Sequence, residues 1–138
     1  MVKVRLYLVR HGKTMFNTIG RAQGWSDTPL TAEGERGIQE LGIGLRESGL
    51  QFERAYSSDS GRTIQTMGII LEELGLQGKI PYRMDKRIRG WCFCSFDGAY
   101  DGDLFMGIIP RIFNVDHVHK LSYAELAEGV VEVDAAGW

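Results

Sequence analysis

"LYLVRHGKT", residues 6–14, is an apolar run that stops abruptly at a cation, an imidazole and a glycine. Together with the residues before it, the segment 2–9 is rich in β-branched and aromatic side chains and short enough for a strand, so it predicts a first strand. Arg10, His11 and Gly12 then fall at its carboxyl end, where open α/β sheets bind their ligands. Each suits a phosphoryl group in its own way. Gly12 permits a sharp turn and a close approach of the backbone. Arg10 offers a two-pronged guanidinium. His11 offers a nucleophile with a pKa near neutrality.

Working outward, a polar, glycine-containing loop leads to Thr31, which can cap a helix with Glu33 in its first turn. Ile38, Leu41 and Leu45 recur at helical spacing until Gly49 ends it. "FERAYSS", 52–58, predicts a second strand. Ser60 can cap a second helix whose Ile64, Met67, Leu71 and Leu74 share a face before Gly75. "KIPYRM", 79–84, predicts a third strand. Alternating strands and helices imply βαβ units, hence an α/β domain with a mostly parallel sheet. From 86 to 115 glycine, aspartate and aromatic residues mix without periodicity, as in a long excursion over a cleft. Ser122 and Glu125 have capping-box spacing for one more helix. The last residues, "VVEVDAAGW", read as a chain cut short.

The second strand ends as the first does. In "SSDSGRT", Ser57 and Ser58 close the strand and Arg62 falls in the first turn of the next helix, so two arginines could converge beside a helix amino terminus, itself an anion-binding element. In the loop between, Asn17, Gln23 and the backbone of Gly24 could donate to phosphoryl oxygens.

Composition narrows the function classes. At 138 residues with 43% hydrophobic and 25% charged side chains, the chain can bury about 68–70% of its unfolded surface as one soluble domain. Sixteen basic residues scattered among 18 acids give a net charge of −2, with no basic stripe for nucleic acid. No apolar run reaches the ~18 residues of a membrane span, and no signal-peptide cleavage site follows the first strand. Cys92 and Cys94 flank one residue, too close for an unstrained disulfide, and provide no four-ligand zinc set. Reduced thiols and a cytoplasmic location are the expectation. A small phosphorylated molecule or inorganic phosphate is the expected partner, and homodimerisation is left open.

The three motifs "RHGKTMFN", "QGWSDTPLTAEG" and "YSSDSGRTIQT", in that order, strongly resemble the phosphoglycerate-mutase-like branch of the histidine phosphatase superfamily. The likeness runs without a gap from residue 3 to about 98 and more weakly to the end. It implies a three-layer fold with helices on both faces of the sheet, formed by one domain over residues 1–138 that lacks the C-terminal part of the family fold. It also implies that His11 is phosphorylated, that Arg10 and Arg62 clamp the phosphoryl group, and that Asn17 and Gly24 help to hold it. No metal or other cofactor is implied. Attack by a neutral imidazole on phosphorus, with cations balancing charge on the equatorial oxygens, agrees with the chemistry of these residues.

Two departures from that pattern matter. Family members carry a glutamate, the acid that protonates the leaving oxygen, where "IRGWCFCSFDG" has Gly90, and Cys94 stands where a glycine is usual. Asp97 and Asp101 are the nearby acids that could substitute. The family's second histidine, in a Ser-His-Gly motif ending a later strand, has no counterpart. His117 and His119 are not followed by glycine; with Asp116 their spacing could suggest metal ligands, but loop histidines are the simpler reading. The sequence thus leaves three readings: a phosphatase rather than a mutase, a phosphate-binding or interaction module without turnover, and a non-functional fragment of such an enzyme.

Overall fold

The computed structural model describes residues 2–90, 92 and 97–100, and the backbone of 126–133. Strand β1 is Val2–Val9, as its composition predicts. A one-turn helix, α1 (Met15–Thr18), follows it, started by a capping box in which Thr14 Oγ1 accepts from Asn17 N–H and Asn17 Oδ1 accepts from Thr14 N–H. This turn lies in the stretch expected to be loop. Helix α2 (Ala32–Glu47) starts at Thr31, whose hydroxyl accepts from Gly34 N–H at 3.0 Å, and the chain leaves it through Gly49 at φ 73°. Strand β2 (Ala55–Ser57), helix α3 (Gly61–Glu73) and strand β3 (Tyr82–Met84) complete the next unit, with Gly75 at φ 66° after α3. Both strands are shorter than the runs 52–58 and 79–84 suggest. Ladder pairing of β2 with β3 covers three residues each, and their flanks continue as irregular chain.

The α/β class stands: β2 and β3 are parallel and joined by α3. Strand β1 pairs on one edge, antiparallel, with β4 (Leu126–Val133), in register from Val2 opposite Val133 to Val9 opposite Leu126. Strand β4 corrects the expected last helix. Ser122 and Glu125 lie outside the described residues, but the segment after them is extended. Val130, Val131 and Val133 favour a strand, and Gly129 in a helix interior would cost roughly 1 kcal/mol relative to alanine. Capping-box spacing alone is the weaker signal.

Helices α2 and α3 pack on one another around Ile38, Leu45 and Ile70, with Val9, Leu41, Phe52 and Leu74 against them. Gly42 makes the close approach possible, since a Cβ there would meet Glu73 Cβ at 2.7 Å. The buried row of α3 is Arg62, Thr66 and Ile70 with Leu71, rather than the predicted row from Ile64 through Met67 to Leu74, whose members are half-buried apart from Leu71. The helix therefore turns a row that is polar at its amino end and apolar further along toward the interior. Among the described residues β1 and β2 share no ladder. An open groove of about 900 Å³ runs along β1 and residues 50–56, bordered also by Leu45, Ile70, Leu71 and Leu74. Tyr7 and Phe52 meet edge to face there, with ring centroids 5.4 Å apart.

Candidate active site

The turn after β1 is built by close packing. A Cβ on Gly12 would lie 2.9 Å from both Gly34 O and Ile38 Cγ1, and one on Gly34 would collide with Lys13 O. Only two glycines let the 12–13 backbone rest on the first turns of α2. His11 is partly buried beside this turn, and its Nδ1 lies 2.7 Å from Gly12 O. A carbonyl oxygen can only accept, so the ring proton sits on Nδ1 and the lone pair on Nε2. Burial first, then the Arg62 and Arg10 cations, push the His11 pKa down from 6.5 to about 4, against the opposing effects of the Gly12 carbonyl and Asp27. The imidazole is therefore neutral at physiological pH and able to act as a nucleophile.

Arg62 is almost wholly buried. Its Nη1 donates to Ser26 O and Asp27 Oδ1, both at 2.9 Å, and its Nη2 to Gly24 O at 2.8 Å. Its Nε–H is buried and has no hydrogen-bond partner among the described residues. Asp27 also accepts from Arg62 N–H at 3.3 Å, so a carboxylate from the 24–27 loop covers the amino terminus of α3, where Ser60 supplies no side-chain cap. Sequence reading gave Asp27 no role; its place inside "QGWSDTPLTAEG" was the available signal.

The polar loop residues are engaged with the protein. Asn17 Oδ1 is taken up by Thr14, and the Gln23 amide bridges the hydroxyls of Thr14 and Thr28 at 2.6 and 2.9 Å. Gly24 N–H donates to Asp97 Oδ1 at 2.8 Å, and Trp25 N–H to Asp97 Oδ2 at 3.4 Å. The segment 97–100 is further tied in by Gly98 N–H to Ala22 O and Ala22 N–H to Ala99 O. Gly90 is exposed and lies against Trp25. Its carbonyl accepts from the Trp25 indole N–H at 3.2 Å, and Arg89 stacks on that indole while forming a two-pronged ion pair with Asp59. A Cβ at Gly90 would meet nothing within 4 Å among the described residues. Cys94, Asp101, Asp116, His117 and His119 lie outside the described residues. Among those described, no group of three His, Cys, Asp or Glu side chains gathers as a metal site requires, and no helix is long and apolar enough to cross a membrane.

Comparison with known proteins places this geometry. The sequence profile of the histidine phosphatase superfamily, branch 1, matches residues 6–104, most of the chain. The chain belongs to that superfamily. Within it, a 2,3-bisphosphoglycerate-dependent phosphoglycerate mutase of Treponema pallidum is 42% identical over 55 residues, which are 40% of this chain and 22% of the mutase. The crystal structure of a phosphoglycerate mutase from Bacillus anthracis superposes with a TM-score of 0.65 at 43% identity, over 71% of this chain and 42% of that one. An α-ribazole phosphatase from Shigella flexneri superposes with a TM-score of 0.63 at 27% identity, over 75% and 48%. The chain thus spans less than half of the length of these histidine phosphatase relatives. Both mutases and phosphatases stand among them.

Proposed function

We propose that this chain carries the phosphoryl-accepting site of a phosphomonoester phosphatase working through a phosphohistidine at His11. The observation that supports this most is the state of His11 itself: neutral, with its proton held on Nδ1 by Gly12, its lone pair on Nε2, and the cations of Arg62 and Arg10 acting on it. In the first step the Nε2 lone pair attacks phosphorus in line, the P–N bond forms, and the ester P–O bond breaks with its electron pair leaving on the alcohol oxygen. In the second step water attacks phosphorus, the P–N bond breaks, and inorganic phosphate and imidazole are released. The orphaned Nε–H of Arg62 is a buried donor that an equatorial phosphoryl oxygen would satisfy.

Gly90 sets the expected substrate preference. With no carboxyl group at that position the leaving oxygen loses the acid that the family pattern places there, and general acid help is typically worth about 10²–10⁴-fold. Phenyl phosphates, whose oxygen leaves unaided, are therefore the expected substrates, with alkyl phosphates slower by a factor in that range. The same glycine favours a second reading, a module that binds phosphate without turning esters over.

Steady-state hydrolysis of phenyl and alkyl phosphates, run beside vanadate binding by calorimetry, separates the two. Slow phenyl phosphate turnover that disappears in His11→Ala supports the enzyme. Tight vanadate binding without any turnover supports the binding module. Phenyl phosphate hydrolysis unchanged in His11→Ala overturns both.

A further inference from the structure

We propose that Thr66, on the buried row of α3, is a positioning residue that selects the nucleophilic nitrogen of His11 by holding the Gly12 backbone; the inference rests on the nucleophile assignment above. Thr66 is 5% exposed, and both capacities of its hydroxyl are spent in a defined direction. Its single proton goes to Arg62 O at 2.8 Å, so its lone pair accepts the Gly12 N–H at 3.1 Å. Gly12 in turn accepts the His11 Nδ1–H on its carbonyl at 2.7 Å. The result is a continuous run of hydrogen bonds from the backbone of Arg62, through the Thr66 hydroxyl and both polar groups of Gly12, to the imidazole ring.

The surroundings show why the hydroxyl has a directing role beyond filling space. Gly12 abuts α2 through Gly34 and Ile38, a contact that limits how far it can approach but does not fix its rotation. The bond to Thr66 fixes the peptide between His11 and Gly12, and thereby aims the carbonyl that follows. Without that bond the buried Gly12 N–H would be unsatisfied, and the turn would rotate to find a partner, moving the carbonyl off His11 Nδ1. The ring would then exchange between its two neutral forms, and the fraction presenting a lone pair on Nε2 would fall.

The test is nitrogen NMR on protein labelled with ¹⁵N-histidine, with the His11 signals identified by their loss in His11→Gln. In the wild type and in Thr66→Ser, which keeps the hydroxyl, His11 is expected as the Nδ1–H form. In Thr66→Val, close in shape but without the hydroxyl, the ratio of Nδ1–H to Nε2–H forms is expected to fall about three- to tenfold, the equivalent of one lost hydrogen bond. An unchanged ratio in a Thr66→Val protein that still melts cooperatively overturns the proposal. A measurement on the wild type stands independently of any variant: the Gly12 amide must be protected from hydrogen exchange, and exchange at the rate of an open loop also overturns it. Because the tautomer is read without phosphorylation, a failure to label His11 would sink the nucleophile assignment while leaving the role of Thr66 to be decided by these spectra.

Discussion

Acidification should unfold this chain through His11 before its carboxylates are fully protonated. The unfolded imidazole takes a proton near pH 6.5, whereas the folded one, kept out of water and faced by Arg62 and Arg10, resists until about 4. Between those values the unfolded state binds more protons, so stability rises with pH there. The contribution is intact above 6.5, declines as the pH falls, and is wholly lost below the folded value. An interval from 6.5 to about 4, at about 1.36 kcal/mol per unit, amounts to about 3 kcal/mol at most. Carboxylates titrate in the lower part of the same range, so the assay must isolate the histidine. Urea unfolding of the wild type and of His11→Gln, at about pH 7 and again at about pH 4.5, does so by difference: the wild type should lose about 2–3 kcal/mol more than the variant. Equal losses, to within about 0.5 kcal/mol, or an NMR titration of His11 with its midpoint near 6.5, would refute the reasoning that burial and two cations keep the ring neutral.

The glycines of α2 make opposite predictions within one helix. Gly34→Ala, whose Cβ would strike the Lys13 backbone, should lower stability by about 1–3 kcal/mol or more, while Gly44→Ala, which meets nothing within 4 Å, should raise it by about 0.5–1 kcal/mol; thermal melts decide both. Gly90→Glu has open space at its Cβ and should shift stability by no more than about 0.5 kcal/mol, so that any gain in alkyl phosphate turnover reports the added acid. Arg62→Lys cannot reach Gly24 O, Ser26 O and Asp27 together; it should cost about 1–3 kcal/mol in urea unfolding and weaken vanadate binding, and an unchanged dissociation constant would place Arg62 outside the site.

How much of this was legible in the sequence depended on the range of the interactions involved. Strand β1 and helix α2 are written in local periodicity and in punctuating residues such as Thr31 and Gly49, and both fall where those signals put them. Helix α3 is placed correctly too, but its buried row differs from the apolar one, because Arg62 and Thr66 are drawn inward by polar partners on distant segments. The Thr66 to Gly12 bond joins residues 54 apart, and Asp97 reaches Gly24 across 73. Neither pairing leaves a mark in spacing. Asp27 illustrates the same point: a carboxylate that caps another element's helix looks, in sequence, like any loop aspartate. Strand β4 replaces the expected helix because one capping-box spacing is a weaker signal than the β-branched residues that follow it. The candidate residues Arg10, His11 and Arg62 rest on a different signal, the likeness of their motifs to a known superfamily.

A phosphoryl group accepted by His11 on Nε2 can be caught on the protein itself. The most direct measurement is to mix the chain with a phenyl phosphate, quench in alkali, and map the phosphoryl adduct by mass spectrometry. A base-stable, acid-labile phosphoramidate is expected on the peptide that contains His11 and is expected to be absent in His11→Ala. An adduct that survives the substitution, or one that is stable to acid, would contradict it.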